Sequence, residues 1–373
     1  MNAPENSEAP EVMLVLPVLE PAGAERIVAE LAKRLPRRGF ATSVVCLEDE
    51  YAPIGAELTA AGVHVEGLRT SRRRTLACAK GLAQRIQARR PLIVHAHLYH
   101  ANIAARLAAS HLSTAQRKEI TILSTVHVAE RRFRPWQFMF DKSTAARARF
   151  EICVSHAVKR FQQERTGLPE SFFHVIWNGI DLERYTAPDR PLSEPGMGRV
   201  LSVGRFDPQK DFPTLLRAWK IVEMRCPNAL LTIAGDGPDD TKIRGLAANL
   251  LLRRVEFPGF VPDIVSLMHR ADIYAQSSAW EGFGLAVAEA MACALPPVVT
   301  DADSLPELVT HDQTGLVVPA ENPMALADAL IRLLNDPRRI QELGDAAAND
   351  CLERFNVERM VDDYARLYNE CLA

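Results

Sequence analysis

Two glutamates flank a glycine-rich turn in the stretch 277–295, SSAWEGFGLAVAEAMACAL. Glu281 stands just before the turn, and Glu289 lies about one turn inside the helix predicted to follow it. Gly282 and Gly284 leave the backbone bare, so a ligand can reach the amide N–H groups at the start of that helix. An anion or a hydroxyl-rich ligand suits this end because it carries the positive end of the helix dipole. The alternative is a pair of solvated glutamates, and the intervening Gly-Phe-Gly favours the ligand site.

A second group of chemically capable residues lies in the segment 204–210, GRFDPQK. Arg205 follows a predicted strand, and Lys210 stands at the start of the next predicted helix. A guanidinium and an ammonium in these places can clamp a diphosphate, with about 1.5–3 kcal/mol for each charged hydrogen bond. Taken alone, two such cations are ordinary surface charges. Together with the glutamate turn they predict a diphosphate site.

Short apolar runs alternate with helical stretches from residue 11 to residue 177, and the same alternation restarts at residue 200. This pattern is typical of βαβ units in doubly wound parallel sheets. Ligands of such sheets bind beyond the carboxyl ends of the strands. Arg205, Glu281 and His127 each follow or end a predicted strand, so we expect all three at the binding edges of their sheets.

The 373 residues suit two domains, and the composition is that of a soluble enzyme. The stretch 186–198, TAPDRPLSEPGMG, has three prolines and no apolar period, which predicts a linker. We therefore predict a flexible tail at 1–10, a first Rossmann-like domain at 11–185, a linker at 186–198, a second Rossmann-like domain at 199–355 and a final helix at 356–373. The seven scattered cysteines include no C-x-x-C pair, which favours reduced thiols over disulfides or zinc.

The glutamate turn carries a resemblance to a known family. The sequence EGFGL at 281–285, with Glu289 completing E-x7-E, resembles retaining glycosyltransferases of the group 1, family 4 type. The resemblance implies a GT-B fold, in which two Rossmann-like doubly wound domains face each other across a cleft. It also allows the final helix to cross back to the first domain.

The resemblance assigns roles on the donor side. It implies that Arg205 and Lys210 bind the pyrophosphate of a nucleotide sugar. It implies that Glu281 holds hydroxyls of the donor sugar and supports the anomeric carbon, while Glu289 accepts from the ribose. The amides of Gly282, Phe283, Gly284 and Leu285 would bind the donor as well.

Two further residues match the family on the other side of the cleft. His127 corresponds to the family histidine beside the donor sugar, with a satisfied core histidine as the alternative. Gly23 lies in a strand-to-helix turn, Pro21-Ala-Gly-Ala-Glu25, where it lets a backbone approach the ligand closely. The family usually has two glycines here, and Ala22 replaces the first.

No metal or other cofactor is expected. Asp301 and Asp303 spell the D-x-D metal motif of the other glycosyltransferase fold, but they follow a strand of the wrong architecture. Asp303 and Ser304 instead replace glycines of a family turn whose Pro306 and Glu307 are kept. Three nearby histidines, 95, 97 and 100, have no carboxylate or thiol close in sequence to complete a metal site.

The charge is unevenly distributed along the chain. Residues 1–185 contain 26 Lys and Arg against 19 Asp and Glu, whereas the remainder contains 18 against 28. The basic segments 72–74 and 131–134, the second followed by apolar residues 136–140, suit an anionic membrane surface. A solvated basic face is the alternative, and no nucleic-acid motif accompanies the charge. We expect a cytoplasmic protein, peripheral at the inner face of a membrane.

The expected reaction is retaining transfer of a hexose from a nucleotide-diphosphate sugar, with UDP favoured and GDP second. The expected acceptor is a lipid-linked or cell-surface glycan. The alternatives are a nucleotide-sugar 2-epimerase or a phosphorylase of the same fold, and a non-catalytic scaffold that binds sugar nucleotides or lipid.

Overall fold

Two parallel β-sheets organise the chain, one in each of two units. A computed structural model describes residues 9–49, 53–188, 191 and 193–373. Unit 1 comprises Met1–Gly179 and Val357–Ala373, and unit 2 comprises Ile180–Asn356. Most of the predicted tail, residues 1–8, lies outside the described residues, as do positions 189, 190 and 192 of the predicted linker. That linker stays a prediction.

The sheet of unit 1 has seven parallel strands: β1 (Glu11–Leu16), β2 (Ala41–Cys46), β3 (His64–Gly67), β4 (Ile93–His97), β5 (Thr121–Val126), β6 (Phe150–Cys153) and β7 (Phe173–Val175). Their order across the sheet is β3-β2-β1-β4-β5-β6-β7. The strand order therefore reverses between β1 and β4. Residues 12–16 of β1 are fully buried and apolar, as expected for a strand covered on both faces.

Helices of unit 1 connect these strands and finish the chain: α1 (Gly23–Arg34), α2 (Ile54–Ala60), α3 (Thr75–Arg89), α4 (Tyr99–Ala108), α5 (Thr114–Glu119), α6 (Pro135–Ala145), α7 (His156–Thr166) and, at the C-terminus, α15 (Val357–Leu372). Helix α15 packs on α1, and Glu358 accepts from both Arg34 and Arg38. Its Tyr368 is fully buried and contacts His95 of β4. The last helix therefore packs as part of unit 1.

Unit 2 repeats the design with six parallel strands: β8 (Arg199–Val203), β9 (Leu230–Ala234), β10 (Val255–Gly259), β11 (Ile273–Gln276), β12 (Pro297–Thr300) and β13 (Leu316–Val318). The order is β10-β9-β8-β11-β12-β13, which reverses between β8 and β11. The helices are α8 (Phe212–Arg225), α9 (Asp240–Asn249), α10 (Val265–Met268), α11 (Leu285–Ala292), α12 (Leu305–Leu308), α13 (Pro323–Leu334) and α14 (Pro337–Arg354). Buried Trp219 of α8 lies in the core between helices and sheet.

The predicted doubly wound parallel sheets are confirmed. Three short helices, α5, α10 and α12, were not predicted. Helix α5 has no buried residue, so it carries no hydrophobic period. It is instead stabilised by a capping box, in which Ser113 and Gln116 exchange side-chain and backbone hydrogen bonds. All seven cysteines are buried, and none of them forms a disulfide.

Candidate functional site

The loops after β8 and β11 lie side by side where the strand order of unit 2 reverses. Strands β8 and β11 are paired in parallel, so their carboxyl ends meet at the same edge. The backbone N–H of Ala279 donates to the Gln209 carbonyl at 2.8 Å. Ser277 Oγ donates to the carbonyls of Lys210 and Asp211 at 2.9 and 3.0 Å. These bonds fix the two predicted site segments against each other.

Glu281 and Lys210 form an ion pair at this edge. The Lys210 ammonium donates to Glu281 Oε1, and the two side chains are only 18% and 6% exposed. Gln209 Nε2 donates to Oε2 at 3.1 Å, and Ser278 Oγ donates to Oε1 at 3.1 Å. The Glu281 carboxylate is therefore held from three sides. The sequence placed these two residues in one site but did not predict that they pair.

A chain of hydrogen bonds within β11 supports this carboxylate. The Tyr274 hydroxyl donates to Gln276 Oε1 at 2.7 Å, and Gln276 Nε2 donates to Ser278 Oγ at 2.7 Å. Burial raises the pKa of Tyr274 well above its usual value, and the charges of Glu289 and Glu281 raise it further. Tyr274 therefore remains a donor, and both glutamates lie within electrostatic reach of it.

Arg205 has a different environment from Lys210. Its side chain is exposed, and within the described residues its guanidinium makes no hydrogen bond or ion pair. Gly204, next to it, lies under the Lys210 side chain, since a Cβ there would be 3.1 Å from Lys210 Cγ and Cε. The site thus contains one neutralised cation and one available cation.

The N-terminus of α11 adds backbone donors. Gly284 has a φ of 100°, which favours glycine, and within the described residues the amides of Leu285 and Ala286 have no acceptor. Phe283 is 3% exposed and packs against Phe355 at 5.5 Å between centroids, so its side chain is structural.

The turn after β12 completes this corner. Asp303 Oδ2 accepts from the Glu281 N–H at 3.2 Å, and Ser304 Oγ donates to the Phe283 carbonyl at 3.0 Å. Asp303 has a φ of 44°, which is a conformation that favours glycine and agrees with the glycine it replaces in the family turn. Asp301 Oδ1 accepts from the Ala320 N–H at 2.8 Å, which gives it a structural role.

Glu289 projects from the second turn of α11 and accepts a hydrogen bond from the Tyr185 hydroxyl at 2.8 Å. Tyr185 is 7% exposed, so this bond forms away from bulk water. Tyr185, Gln209, Gln276 and Ser278 are site residues that sequence reasoning missed. Of these four, only Gln209 and Ser278 lie inside the two segments that the sequence predicted.

Unit 1 brings three histidines together at the carboxyl ends of β4 and β5. His97 Nδ1 lies 3.1 Å from His127 Nε2. His95 contacts the Tyr368 hydroxyl at 2.6 Å and Thr125 Oγ1 at 2.7 Å. Burial lowers the pKa of His95 to about 3 and that of His127 to about 4, although part of His127 remains accessible. The imidazoles are therefore neutral at pH 7, and one ring donates to the other.

Gly23 is the first residue of α1 and follows β1 at the strand reversal of unit 1. Two positions further on, Glu25 is only 6% exposed. Desolvation raises the pKa of Glu25 to about 7. Sequence reasoning did not select this carboxyl, and no residue pattern distinguished it from other acids in a first helical turn.

Neither a membrane span nor a metal cluster occurs in the described ranges. Every helix there is too short or too polar to span a bilayer. Those residues also bring no three His, Cys, Asp or Glu side chains together in a way that could hold a metal ion.

Two Rossmann-like doubly wound parallel sheets in tandem define the GT-B fold of the glycosyltransferases. Residues 188–350 match the family Glycosyl transferases group 1, and residues 21–184 match Glycosyltransferase Family 4. The chain therefore belongs to the group 1 glycosyltransferases, as the EGFGL and E-x7-E motifs predicted.

Similar proteins include several that are named as transferases or synthases. The phosphatidyl-myo-inositol mannosyltransferase of Mycobacterium tuberculosis is 29% identical over 372 residues, covering 93% of each chain. The N-acetyl-alpha-D-glucosaminyl L-malate synthase of Bacillus anthracis is 28% identical over 226 residues, or 59% of each chain. The fold matches Anabaena Alr3699/HepE, crystallised with UDP and glucose, with a TM-score of 0.83 and 21% identity over 97% of this chain and 100% of that one.

Proposed function

We propose that this glycosyltransferase is a retaining hexosyltransferase that uses a nucleotide-diphosphate sugar, with UDP-sugar favoured and GDP-sugar second. The observation that carries the proposal is the Lys210–Glu281 pair beside the available guanidinium of Arg205 and the open amides of α11. Relatives that carry mannosyl or glucosaminyl names, and a neighbour of the same fold crystallised with UDP, support this donor class.

The proposed donor site has a positively charged part for the diphosphate and a carboxylate for the sugar. The diphosphate binds Arg205 and the amides of Leu285 and Ala286. The guanidinium and the positive N-terminus of α11 stabilise the negative charge that develops as the diphosphate leaves. Lys210 lies between this position and Glu281, so its ammonium can bond to both. Glu281 accepts from the hydroxyls of the donor sugar and supports the positive anomeric carbon. These cations take the role that a metal has in other transferases, so the proposed reaction needs none.

Retention is part of the proposal. The sequence offers no convincing nucleophile for the opposite face of the sugar, so we assign departure and attack to the same face. In this route a diphosphate oxygen removes the acceptor proton as the bond to the anomeric carbon breaks. When the donor binds, the ribose hydroxyls replace the Tyr185 hydroxyl as hydrogen-bond donors to Glu289. Neutral His127 forms a hydrogen bond with the donor sugar.

The proposed acceptor is a lipid-linked or cell-surface glycan. The similarity to a phosphatidyl-myo-inositol mannosyltransferase over most of the chain favours a lipid-linked one. A glycan that is not attached to lipid would use the same donor site, so acceptor identity is tested separately from donor identity.

The test is a thermal-shift screen of UDP- and GDP-sugars, followed by turnover of the stabilising sugar nucleotide in the presence of EDTA. We expect one nucleotide sugar to raise the melting temperature and to be consumed with release of its diphosphate. The anomeric proton of the product, read by NMR, should show the configuration of the donor. Conversion of the donor to its 2-epimer without an acceptor, or a pyridoxal phosphate absorbance, would replace this assignment with one of its rivals.

A further inference from the structure

Helix α6 of unit 1 has an apolar face that is exposed. Trp136, Met139 and Phe140 are 60%, 70% and 38% exposed, and their spacing of three and four places them on one side of the helix. Other exposed large apolar residues of the described chain, such as Met224 and Leu251, have no such neighbours on their elements. A clustered apolar patch marks an interaction surface, whereas single exposed residues do not.

The opposite face fixes the orientation of the helix. Phe138, Asp141, Thr144 and Ala145 are buried, and Phe138 packs at 5.9 Å between centroids against both Phe133 and Phe161. Asp141 forms a buried ion pair with Arg106. Rotation of α6 would break this pair and leave a buried charge without its partner, which is strongly unfavourable. The exposed face is therefore a fixed property of the fold.

The exposed face lies within a strongly basic part of unit 1. Six cations occur between residues 131 and 149, all of them exposed: Arg131, Arg132, Arg134, Lys142, Arg147 and Arg149. The carboxylates of this part are Glu130, which binds Arg132 at 2.7 Å, and Asp141, which is buried against Arg106. The net charge of residues 130–149 is therefore positive even after the pairs made by Glu130 and Asp141 are subtracted.

We propose that the α6 surface, formed by Trp136, Met139 and Phe140 with Arg131, Arg132 and Arg134, docks the protein on an anionic lipid bilayer. Tryptophan and phenylalanine suit the boundary between head groups and acyl chains, and arginines beside them bind the lipid phosphates. Each basic side chain near such a membrane gains about 1 kcal/mol, and salt weakens the attraction. The proposal goes beyond sugar transfer, because docking requires neither donor nor acceptor.

A bilayer fits this surface better than a nucleic acid or a protein groove. The three apolar side chains project together from a convex helix, and a bilayer can receive all of them at once. A nucleic acid would use the arginines but would leave Met139 in water. The surface spans about one turn of helix, which is a small area for a stable protein interface.

The test is co-sedimentation of the full chain with vesicles of phosphatidylcholine alone, or mixed with phosphatidylglycerol. We expect binding to the mixed vesicles that falls as salt rises. Trp136→Ser should weaken it about tenfold or more, and Arg134→Gln about fivefold. Met224→Ser and Arg338→Gln are the matched controls, because these residues are 73% and 89% exposed in unit 2 and should leave binding unchanged.

Tryptophan fluorescence gives a second measurement. All four tryptophans are in the described residues, and among them only Trp136 is more than half exposed. Mixed vesicles should shift the emission of the wild type to shorter wavelength, and Trp136→Phe should bind with little shift. Equal binding by the Trp136→Ser variant, equal binding to phosphatidylcholine alone, or release from vesicles by a short DNA duplex that binds the arginines would overturn the proposal. UDP-sugar stabilisation of the same variants is expected to be unchanged, which separates this outcome from failure of the donor site.

Discussion

Arg205 and Lys210 stand five positions apart, yet they differ in electrostatic state. Lys210 is neutralised by a carboxylate that is 6% exposed, and its removal alters the protein with or without ligand. Arg205 is exposed and has no partner within the described residues, so its removal alters only what binds there. Replacing Arg205 should therefore change ligand affinity alone, whereas replacing Lys210 should also change the free energy of unfolding.

Arg205→Ala should weaken UDP binding about 10- to 100-fold, which corresponds to the ~1.5–3 kcal/mol of a charged hydrogen bond. The melting temperature without ligand should stay within error of the wild type. Isothermal titration with UDP and a thermal melt check the two parts. Arg244→Ala is the matched control, because Arg244 is 42% exposed on α9, where it pairs with Asp240 and lies over the Phe257 ring. Unchanged UDP affinity in Arg205→Ala would remove Arg205 from the site.

Lys210→Met and Glu281→Gln should each lower the free energy of unfolding by about 2 kcal/mol. Each variant leaves the other charge in a mostly buried site, and the figure is below that of a fully buried pair because Lys210 remains 18% exposed. The double variant should cost less than the sum of the two. Urea denaturation of all four proteins measures the coupling. Additive losses would mean that the pair contributes nothing, and turnover should be lost in each single variant.

Elements position these side chains through close backbone contacts. The turn after β9 packs its glycines directly on the Arg205 segment. A Cβ on Gly235 would lie 2.0 Å from the Gly204 carbonyl oxygen, and one on Gly237 would lie 2.5 Å from that of Phe206. The Phe206 N–H also donates to the Asp236 carbonyl at 2.7 Å. The turn thus supports the Arg205 segment by direct backbone contact.

Gly235→Ala should lower the free energy of unfolding by about 2 kcal/mol or more, because its φ of 142° and the backbone contact both exclude a side chain. UDP affinity should fall as well, since the Gly204 carbonyl must move. Gly245→Ala on α9 is the control: nothing lies within 4 Å of its Cβ position, and alanine should stabilise the helix by about 0.5–1 kcal/mol. Denaturant melts compare the two, and equal effects would contradict the packing argument.

The sequence predicted the strands that carry the site, because each is a continuous apolar run between helical patterns. It also placed Arg205, Lys210 and Glu281 correctly at the ends of β8 and β11 or at the start of α8. It could not show that Lys210 bonds to Glu281, since this contact depends on how two loops 71 residues apart lie after folding. Tyr185 was missed for the same reason, as its partner Glu289 is 104 residues away.

At the scale of the whole molecule, unit 1 buries histidines whose pKa values are lowered and glutamates whose pKa values are raised. Burial keeps His95, His97 and His127 neutral, and the pKa of His97 lies well below its usual value. Burial also raises the pKa of Glu25 and of Glu151 to about 7. Nearby Asp141 raises the pKa of Glu151 further, while Arg106 opposes the shift. The histidines and the glutamates therefore bias stability in opposite directions as pH falls.

The free energy of unfolding should be greatest near pH 6.5–7 and should fall as the solution is acidified. Below pH 6.5 the unfolded chain protonates three histidines that the folded chain keeps neutral, which destabilises the fold. Between about pH 7 and 4.5, Glu25 and Glu151 are protonated only in the folded chain, and their protonation partly offsets the destabilisation caused by the histidines. The lowered pKa values of His100 and His174 add to the histidine side, so the net slope should be at least about 1.4 kcal/mol per pH unit. Below pH 4.5 the offset ends and the decline steepens. Denaturant titrations at a series of pH values measure the slope.

Two variants test the assignment of that slope, because they change it in opposite directions. His95→Gln removes one of the protons taken up on unfolding, so the decline between pH 6.5 and 4.5 should become shallower, by about 1.4 kcal/mol per pH unit. Glu151→Gln removes a group that offsets this uptake, so the decline there should steepen. Both replacements introduce an amide that can hydrogen-bond to the same neighbours. These are Thr125 and Tyr368 for position 95 and Arg106 for position 151. If both variants shift the whole curve without altering its slope, the buried groups of unit 1 do not set its response to pH.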